Sequence, residues 1–177
     1  MTATSKVVLG MLRLGKRTGY EIKQLVEVST RFFWAASYGQ IYPELKRLEA
    51  EGLIEGADAS AGGRQRRAFE LTGSGDEALD AWLRSGEVPL FEMRDEGLLK
   101  LFFSDSMTAA EKLALVRAMR SRHEEVVAAL SSIEPGAREK GGGPYDVLRF
   151  GRAFHGFCGD WLREMERELE LEPATRR

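Results

Sequence analysis

The order of helix signals in the first half of this chain, followed by one short hairpin, leaves few folds open. Val7, Val8, Met11 and Leu12 mark one face of a helix over 5–14, and Gly15 ends it. Thr18 with Glu21 three residues on is a capping-box pair, in which each residue satisfies the other's backbone N–H. It opens a second helix with Ile22, Leu25, Val26 and Phe32 inward, running to about Phe33. Ser37 opens a third helix over 38–51, with Ile41, Leu45 and Leu48 on a single stripe. Pro43 lies near its start, where a missing N–H costs little, and Gly52 stops it. Two short strands, 53–57 and 67–71, flank a glycine-rich, charged tip over 58–66, and Phe69 and Leu71 share one strand face. Ser74 with Glu77 is a further capping box, which starts a fourth helix through Leu79, Trp82 and Leu83 to Gly86.

Val88-Pro89 breaks the chain and suggests two domains, 1–87 and 88–177. Beyond the break, Leu98, Leu99, Leu101, Phe102 and Phe103 mark a short apolar helix. Thr108 and Glu111 cap a long one that reaches about Ile133, with Val116, Met119, His123, Val126, Val127 and Leu130 as its stripe. Residues 134–143 hold one Pro and four Gly, and the pattern predicts a loop there. A last helix spans 145–171, with Val147, Phe150, Phe154, Phe157, Cys158, Trp161, Met165 and Leu169 as its stripe. Two such helices with little other chain to cover them point to burial against a second subunit; packing on each other within one chain is the alternative. The expected fold is mostly α with a small β-hairpin: a winged helix-turn-helix followed by a helical dimerisation domain.

Composition narrows the function classes. Of 177 residues 43% are apolar and 31% charged, the balance of an ordinary globular chain. The N-terminus has no signal-peptide pattern, and no apolar run approaches the ~20 residues that cross a bilayer. A single cysteine, Cys158, allows no intramolecular disulfide and fits a reducing cytoplasm. The net charge is −2, and residues 1–86 carry 12 Lys and Arg against 11 Asp and Glu, so nucleic acid would have to be met by a local basic face. The bases cluster at Lys46 and Arg47 and at Arg64, Arg66 and Arg67. No phosphate loop, nucleophile elbow, metal motif or paired-carboxylate pattern is present, so neither catalysis nor a cofactor is expected. His155 and Cys158 can share a helix face, but two ligands do not make a zinc site and no orienting group completes a catalytic pair. His123 reads as a packed or interfacial histidine, with pH sensing as the other option.

Three helices and a hairpin present the third helix to a major groove, with the hairpin tip as a wing on the backbone. With Ile41, Leu45 and Leu48 buried, Tyr38, Gln40, Tyr42, Pro43, Lys46 and Arg47 fall on or near the outer face. Gln40 can pair with adenine, Tyr42 can reach a phosphate or a thymine methyl, and Lys46 or Arg47 can bind phosphate. Gly62 and Gly63 allow close approach at the tip, and Arg64 and Arg66 carry charge to the backbone. In the last helix Phe150, Phe154, Phe157 and Trp161 are interleaved with Gly151, Gly156 and Gly159. Together with Phe102 they form a candidate site for a planar effector, and ordinary interface packing is the plainer account.

Several blocks, in order and at matching spacing, resemble the PadR family of transcriptional regulators. They are Gly19-Tyr20-Glu21-Ile22, Gly39 through Glu49 with Gly52-Leu53-Ile54, and Gly63-Arg64 through Arg66-Arg67 to Phe69-Glu70-Leu71-Thr72, within residues 5 to about 85. The segment Arg94-Asp95-Glu96 to Lys100-Leu101-Phe102-Phe103 is similar to the start of a virulence-activator-type C-terminal domain. The resemblance implies a homodimer on double-stranded palindromic operator DNA, usually a repressor, released by a small molecule that is phenolic or polyaromatic in some members. Gln40 stands where the family commonly has Ser, which leaves the operator sequence open, and Phe69 replaces the usual Tyr. The competing account is a protein-interaction adaptor that keeps the winged helix without binding DNA.

Overall fold

Hydroxyl side chains start the helices of the first half. In the computed structural model, which describes residues 1–61, 64–87 and 92–171 and the side chains of all of these except 59–61 and 64–66, Thr2 caps α1 (Ala3–Arg13) and Thr18 caps α2 (Gly19–Val28). Ser37 precedes α3 (Tyr38–Ala50), and the hairpin β1 (Ile54–Ala61) and β2 (Arg64–Leu71) follows. Then come α4 (Gly73–Leu83), α5 (Glu96–Phe102), α6 (Ala109–Lys140) and α7 (Gly142–Leu171). The chain divides into two compact units, Met1–Pro89 and Leu90–Arg177. The Gly62-Gly63 tip and the Val88-Pro89 break lie outside the described residues, as do the side chains of Arg64 and Arg66.

The first unit closes around one core. Val8, Leu9, Leu12, Ile22, Val26, Ile41, Leu45, Leu48, Ile54, Phe69 and Leu79 are buried, with Leu25 and Leu71 packed against them. The hairpin is antiparallel, with Ile54 opposite Leu71 and Ala61 opposite Arg64. It is longer than the two five-residue strands expected, because pairing continues through the polar stretch that reads as a tip. Two helix boundaries also differ. The second helix stops at Val28 rather than near Phe33, since the Ser29 hydroxyl turns back onto the Leu25 carbonyl at 2.5 Å. A 3-10 turn over Thr30–Phe32 follows, and Phe32 is only half-buried. The cap of α4 is Thr72, not Ser74. Its hydroxyl accepts from the Gly75 N–H at 3.1 Å and donates to the Gly52 carbonyl at 2.7 Å, joining the helix start to the turn after α3.

In the second unit α6 and α7 form an antiparallel pair, tied from Arg117–Glu166 at one end to Arg152–Glu134 at the other. Residues 134–140 are helix, not loop. Pro135 and Gly136 sit inside α6, which ends where Gly141 and Gly142 take φ of +65° and +73°. An interior Pro costs ~3 kcal/mol and a Gly ~1 kcal/mol. Pairing with α7 and the helix-forming run Ala137 to Lys140 offset this. The aromatic stripe of α7 does not face α6. The buried residues of α7 are Leu148, Gly159 and Leu162, whereas Phe150, Phe157 and Trp161 are exposed. Gly151 explains the orientation, because a Cβ there would lie 3.1 Å from the Leu130 side chain. The small residues take the close helix contact and the rings point away.

Candidate nucleic-acid interface

Helix α3 has three working faces. Ile41, Leu45 and Leu48 hold it to the core, while Tyr38, Gln40, Tyr42, Pro43 and Lys46 are exposed. The Tyr42 ring lies on α2 at Gly19, where a Cβ would stand 2.8 Å from it, so only glycine permits this contact. Tyr38 stacks on Tyr42 with ring centroids 6.0 Å apart, and the Lys23 ammonium is 5.9 Å from the Tyr38 ring. Gln24 donates to the Tyr20 hydroxyl at 2.8 Å on the same side. Lys16, Tyr20, Lys23, Gln24 and Tyr38 line one shallow groove. The structure thus brings α2 residues into the face expected from α3 alone. Their signal was available, since Tyr20, Lys23 and Gln24 lie off the face that Ile22 and Val26 turn inward, with Glu21 and Glu27 beside them.

Two expected contacts have other partners. The Gln40 side-chain oxygen accepts from the Ser37 N–H at 2.9 Å, the return half of a capping box that the Ser-x-x-Gln spacing announces. Arg47 donates to Glu44 Oε1 at 2.6 Å and to Ser5 Oγ at 2.7 Å, and also pairs with Glu51. Glu44 is buried, and it further accepts from Ser5 at 2.5 Å and Thr2 at 2.9 Å. The Arg47 guanidinium, helped by these hydroxyls and opposed by burial, lowers the Glu44 carboxyl to about 2, and Arg47 is raised in turn. Arg47 therefore ties α3 to the start of α1, and Lys46 is left as the exposed cation of that turn.

On its other flank α3 meets the hairpin. Glu49 Oε1 accepts from the Gly56 N–H at 3.1 Å and from Arg67 at 2.5 Å. Opposite Gly56, the Phe69 N–H donates to the Arg17 carbonyl at 2.7 Å, and the Phe69 ring is buried in the core. Arg64 and Arg66 lie farther along β2, opposite Ala61 and Ala59.

The proposed effector residues fall in two places. Phe102 lies on α5, highly exposed and edge-on to Phe103 at 5.0 Å. Phe150 and Phe154 stack at 6.0 Å on α7, with Phe157 and Trp161 on the exposed side. Phe150 borders a shallow groove with Val127, Asp146 and Arg149. His155 meets His123, not Cys158: the two Nδ1 atoms are 2.8 Å apart, so one ring donates and the other accepts. Burial lowers both imidazoles, against Asp95 at His123 and reinforced by His123 and Arg122 at His155. Burial, with the Asp95 charge, pushes the Cys158 thiol up and keeps it protonated. Among the described residues no three His, Cys, Asp or Glu side chains gather to hold a metal ion.

The comparisons with known proteins agree on both units. The model of the transcriptional regulator PadR-like family matches residues 8–81, and that of the virulence activator alpha C-terminal domain matches 93–170. The negative transcriptional regulator PadR of Bacillus subtilis is 33% identical over 112 residues, which span 63% of this chain and 62% of that protein. The crystal structure of B. subtilis PadR with operator DNA overlays with a TM-score of 0.86 at 26% identity, covering 96% of this chain and 98% of that one. The crystal structure of the same protein with p-coumaric acid overlays at 0.71 and 26% identity, covering 97% and 99%. With one model on the winged-helix residues and the other on the helices that follow, the chain belongs to the PadR-like family of transcriptional regulators.

Proposed function

We propose that this regulator binds palindromic operator DNA as a homodimer, represses from it, and is released by a small planar aromatic effector. Residues 1–87 form the DNA-binding part and 88–177 the dimerising and effector-binding part. The observation that carries the reading is the exposed Tyr38–Tyr42–Lys46 face of α3, joined by Tyr20 and Lys23 and flanked by an anchored hairpin. In this account Tyr38, Gln40, Tyr42, Pro43 and Lys46 enter the major groove, and Gly63, Arg64 and Arg66 meet the backbone. Arg47 acts by holding α3 in place. Exposed Phe150, Phe157 and Trp161 on α7 support the dimer, because monomers rarely leave such a face open to water. Operator and p-coumaric acid are bound by B. subtilis PadR. A related phenolic effector on Phe102, Phe150, Phe154, Phe157 and Trp161 is the corresponding proposal here. Among the described residues no helix is long and apolar enough to cross a membrane, and the site of action proposed is the cytoplasm. No catalytic role is proposed for His155 and Cys158.

Fluorescence anisotropy tests the reading. The full chain is titrated onto the duplex upstream of its own coding sequence and onto a scrambled duplex, at two salt concentrations. The expected result is preference for the first, a steep loss with salt, and loss in Tyr42→Ala and in Arg64→Ala/Arg66→Ala. Salt-insensitive binding, or none to either duplex, would return the adaptor account.

A further inference from the structure

We infer that Glu49 is a positioning residue for DNA recognition, setting the angle of the hairpin against α3 through the Gly56 N–H and the Arg67 guanidinium. The inference rests on the regulator reading above. A two-stranded hairpin has little stability of its own, so its direction is fixed by what holds it to the body. Beyond the apolar base at Ile54 and Leu71 and the Arg17–Glu70 ion pair, the polar attachment gathers at one level of the ladder. Gly56 and Phe69 are opposite one another, and both N–H groups donate outside the sheet, one to Glu49 on α3 and the other to the Arg17 carbonyl. The single oxygen Oε1 of Glu49 takes Gly56 and Arg67 together, so helix, first strand and second strand meet at one atom.

Gly56 fits this role and no other residue does. A Cβ there would stand 2.5 Å from Arg67 Nε, 2.6 Å from Glu49 Oε1 and 2.9 Å from the Phe69 ring. Glycine inside a strand weakens it, and its usual reason is close approach of another group. The charge of Glu49 makes the same point. A carboxylate on the helix meant for a polyanion opposes binding, so its presence calls for a compensating task. From Gly56 the strand runs on to Ala61. At ~3.4 Å per residue, a ~10° tilt at the anchor moves the far end by about 3 Å. A hydrogen bond to phosphate tolerates only a few tenths of an ångström, so α3 and the wing engage one duplex together only at a fixed angle.

The test uses the full chain and a duplex selected from a random pool on the wild-type protein. Glu49→Ala should weaken binding about tenfold and flatten the salt dependence, because the wing contacts are lost. Arg64→Ala/Arg66→Ala should weaken the wild type yet cost little more on top of Glu49→Ala. Glu49→Gln keeps an accepting oxygen and should keep most of the affinity. Simple electrostatics predicts the opposite sign, tighter binding once a negative charge is removed. Unchanged or tighter binding by Glu49→Ala, or an equal loss from the wing substitutions in both backgrounds, would overturn the inference. Folding of each variant is checked by circular dichroism and melting. If Glu49→Ala does not fold, Gly56→Ala carries the same comparison, since its methyl displaces both partners. A wild type that enriches no duplex overturns the regulator reading itself, and the role of Glu49 with it.

Discussion

The two units of this chain solve the burial problem differently. In the first, α1 to α4 and the hairpin enclose twelve large apolar side chains from Val8 to Leu79, Met11 among them. Tyr20, Tyr38 and Tyr42, aromatic with a polar end, are exposed together on one side of it, while Leu14, Val28, Phe33 and Leu83 are exposed as well. In the second unit, among the described residues, the buried apolar side chains are Val116, Val126, Leu130, Leu148 and Leu162. Leu99, Phe102, Phe103, Val147, Phe150, Phe157 and Trp161 are exposed, Phe102 at 78% and Phe157 at 70%. A polar-tipped exposed face suits a charged, hydrated partner. An apolar one is finished only when something covers it. The first unit therefore reads as a folded body with a wet interface, and the second as half of a core.

The largest expected effect tests that contrast directly. Phe150→Glu/Phe157→Glu should convert the proposed dimer to a monomer. At ~25 cal/mol per Å², each ring contributes about 2 kcal/mol, and a two-fold interface contains every ring twice. The dimer dissociation constant should rise by about six orders of magnitude, read by sedimentation equilibrium. Leu45→Ala in the first unit should cost ~3 kcal/mol, with the loss independent of protein concentration. A wild type that stays monomeric throughout would break the contrast.

Next in size is Gly75→Ala. A Cβ on this buried residue of α4 would lie 1.9 Å from the Leu53 carbonyl oxygen, which is backbone and cannot swing aside. Overpacking of this kind costs ~3 kcal/mol or more. Chemical denaturation should show the loss as a lower midpoint with an unchanged slope. A cost below ~1 kcal/mol would mean that the first unit is looser than its close contacts imply.

What could be read from the sequence follows the range of each interaction. Thr18–Glu21 and Thr108–Glu111 join residues three apart, and both capping boxes are present. Ile41, Leu45 and Leu48 lie on one helix face and are buried together. The partner of Glu44 and Arg47 is Ser5, about forty positions away, and no local pattern announces it. Hydropathy marked the rings of α7 as a stripe for a second subunit or for α6, and the α6 contact went instead to Leu148, Gly159 and Leu162. Ranking by size favours the aromatics, but the close approach of the two helices at Gly151 and Gly159 turns the leucines inward and the rings away. Pro135 and Gly136 signal a loop by composition, and pairing with α7 overrides them. The exposed face of α3 was legible because its buried face was. The hydrogen bond from Arg47 to Ser5 was not, whereas that of Gln40 follows from the Ser-x-x-Gln spacing.

Acid should separate the units in a defined order. Glu44 is lowered to about 2 from a usual 4.5, so the stability it supplies is complete above 4.5 and is lost as pH falls toward 2. Allowing for the partial exposure of Arg47, that amounts to about 2 kcal/mol. His123 and His155 are lowered from 6.5 by burial, so on acidification the unfolded chain takes up protons before the folded one. Their contribution falls as pH drops below 6.5, well before that of Glu44. The first proton can be shared along the 2.8 Å contact; a second would leave two donors face to face. With only two histidines in the chain, their NMR resonances can be followed individually, and the second unit should loosen first. Simultaneous loss of both units, or loss of the first before the second, would contradict this order.

The smallest effect has the opposite sign. Gly136 lies inside α6, exposed, with nothing within 4 Å of where its Cβ would be. Alanine there removes backbone freedom from the unfolded chain and strains nothing in the folded one, so Gly136→Ala should stabilise by ~1 kcal/mol. Gly75 and Gly136 then make a matched pair, since the same substitution is severe where the first unit is closed and favourable where the second is open. The measurement is thermal melting at one fixed protein concentration, because a dimer's midpoint moves with concentration. A gain also requires that residues 134–140 be helical, because a loop glycine with positive φ would lose stability on the same change. Destabilisation by Gly136→Ala would therefore return this stretch to a loop and shorten α6 to the end near Ile133 that composition suggests.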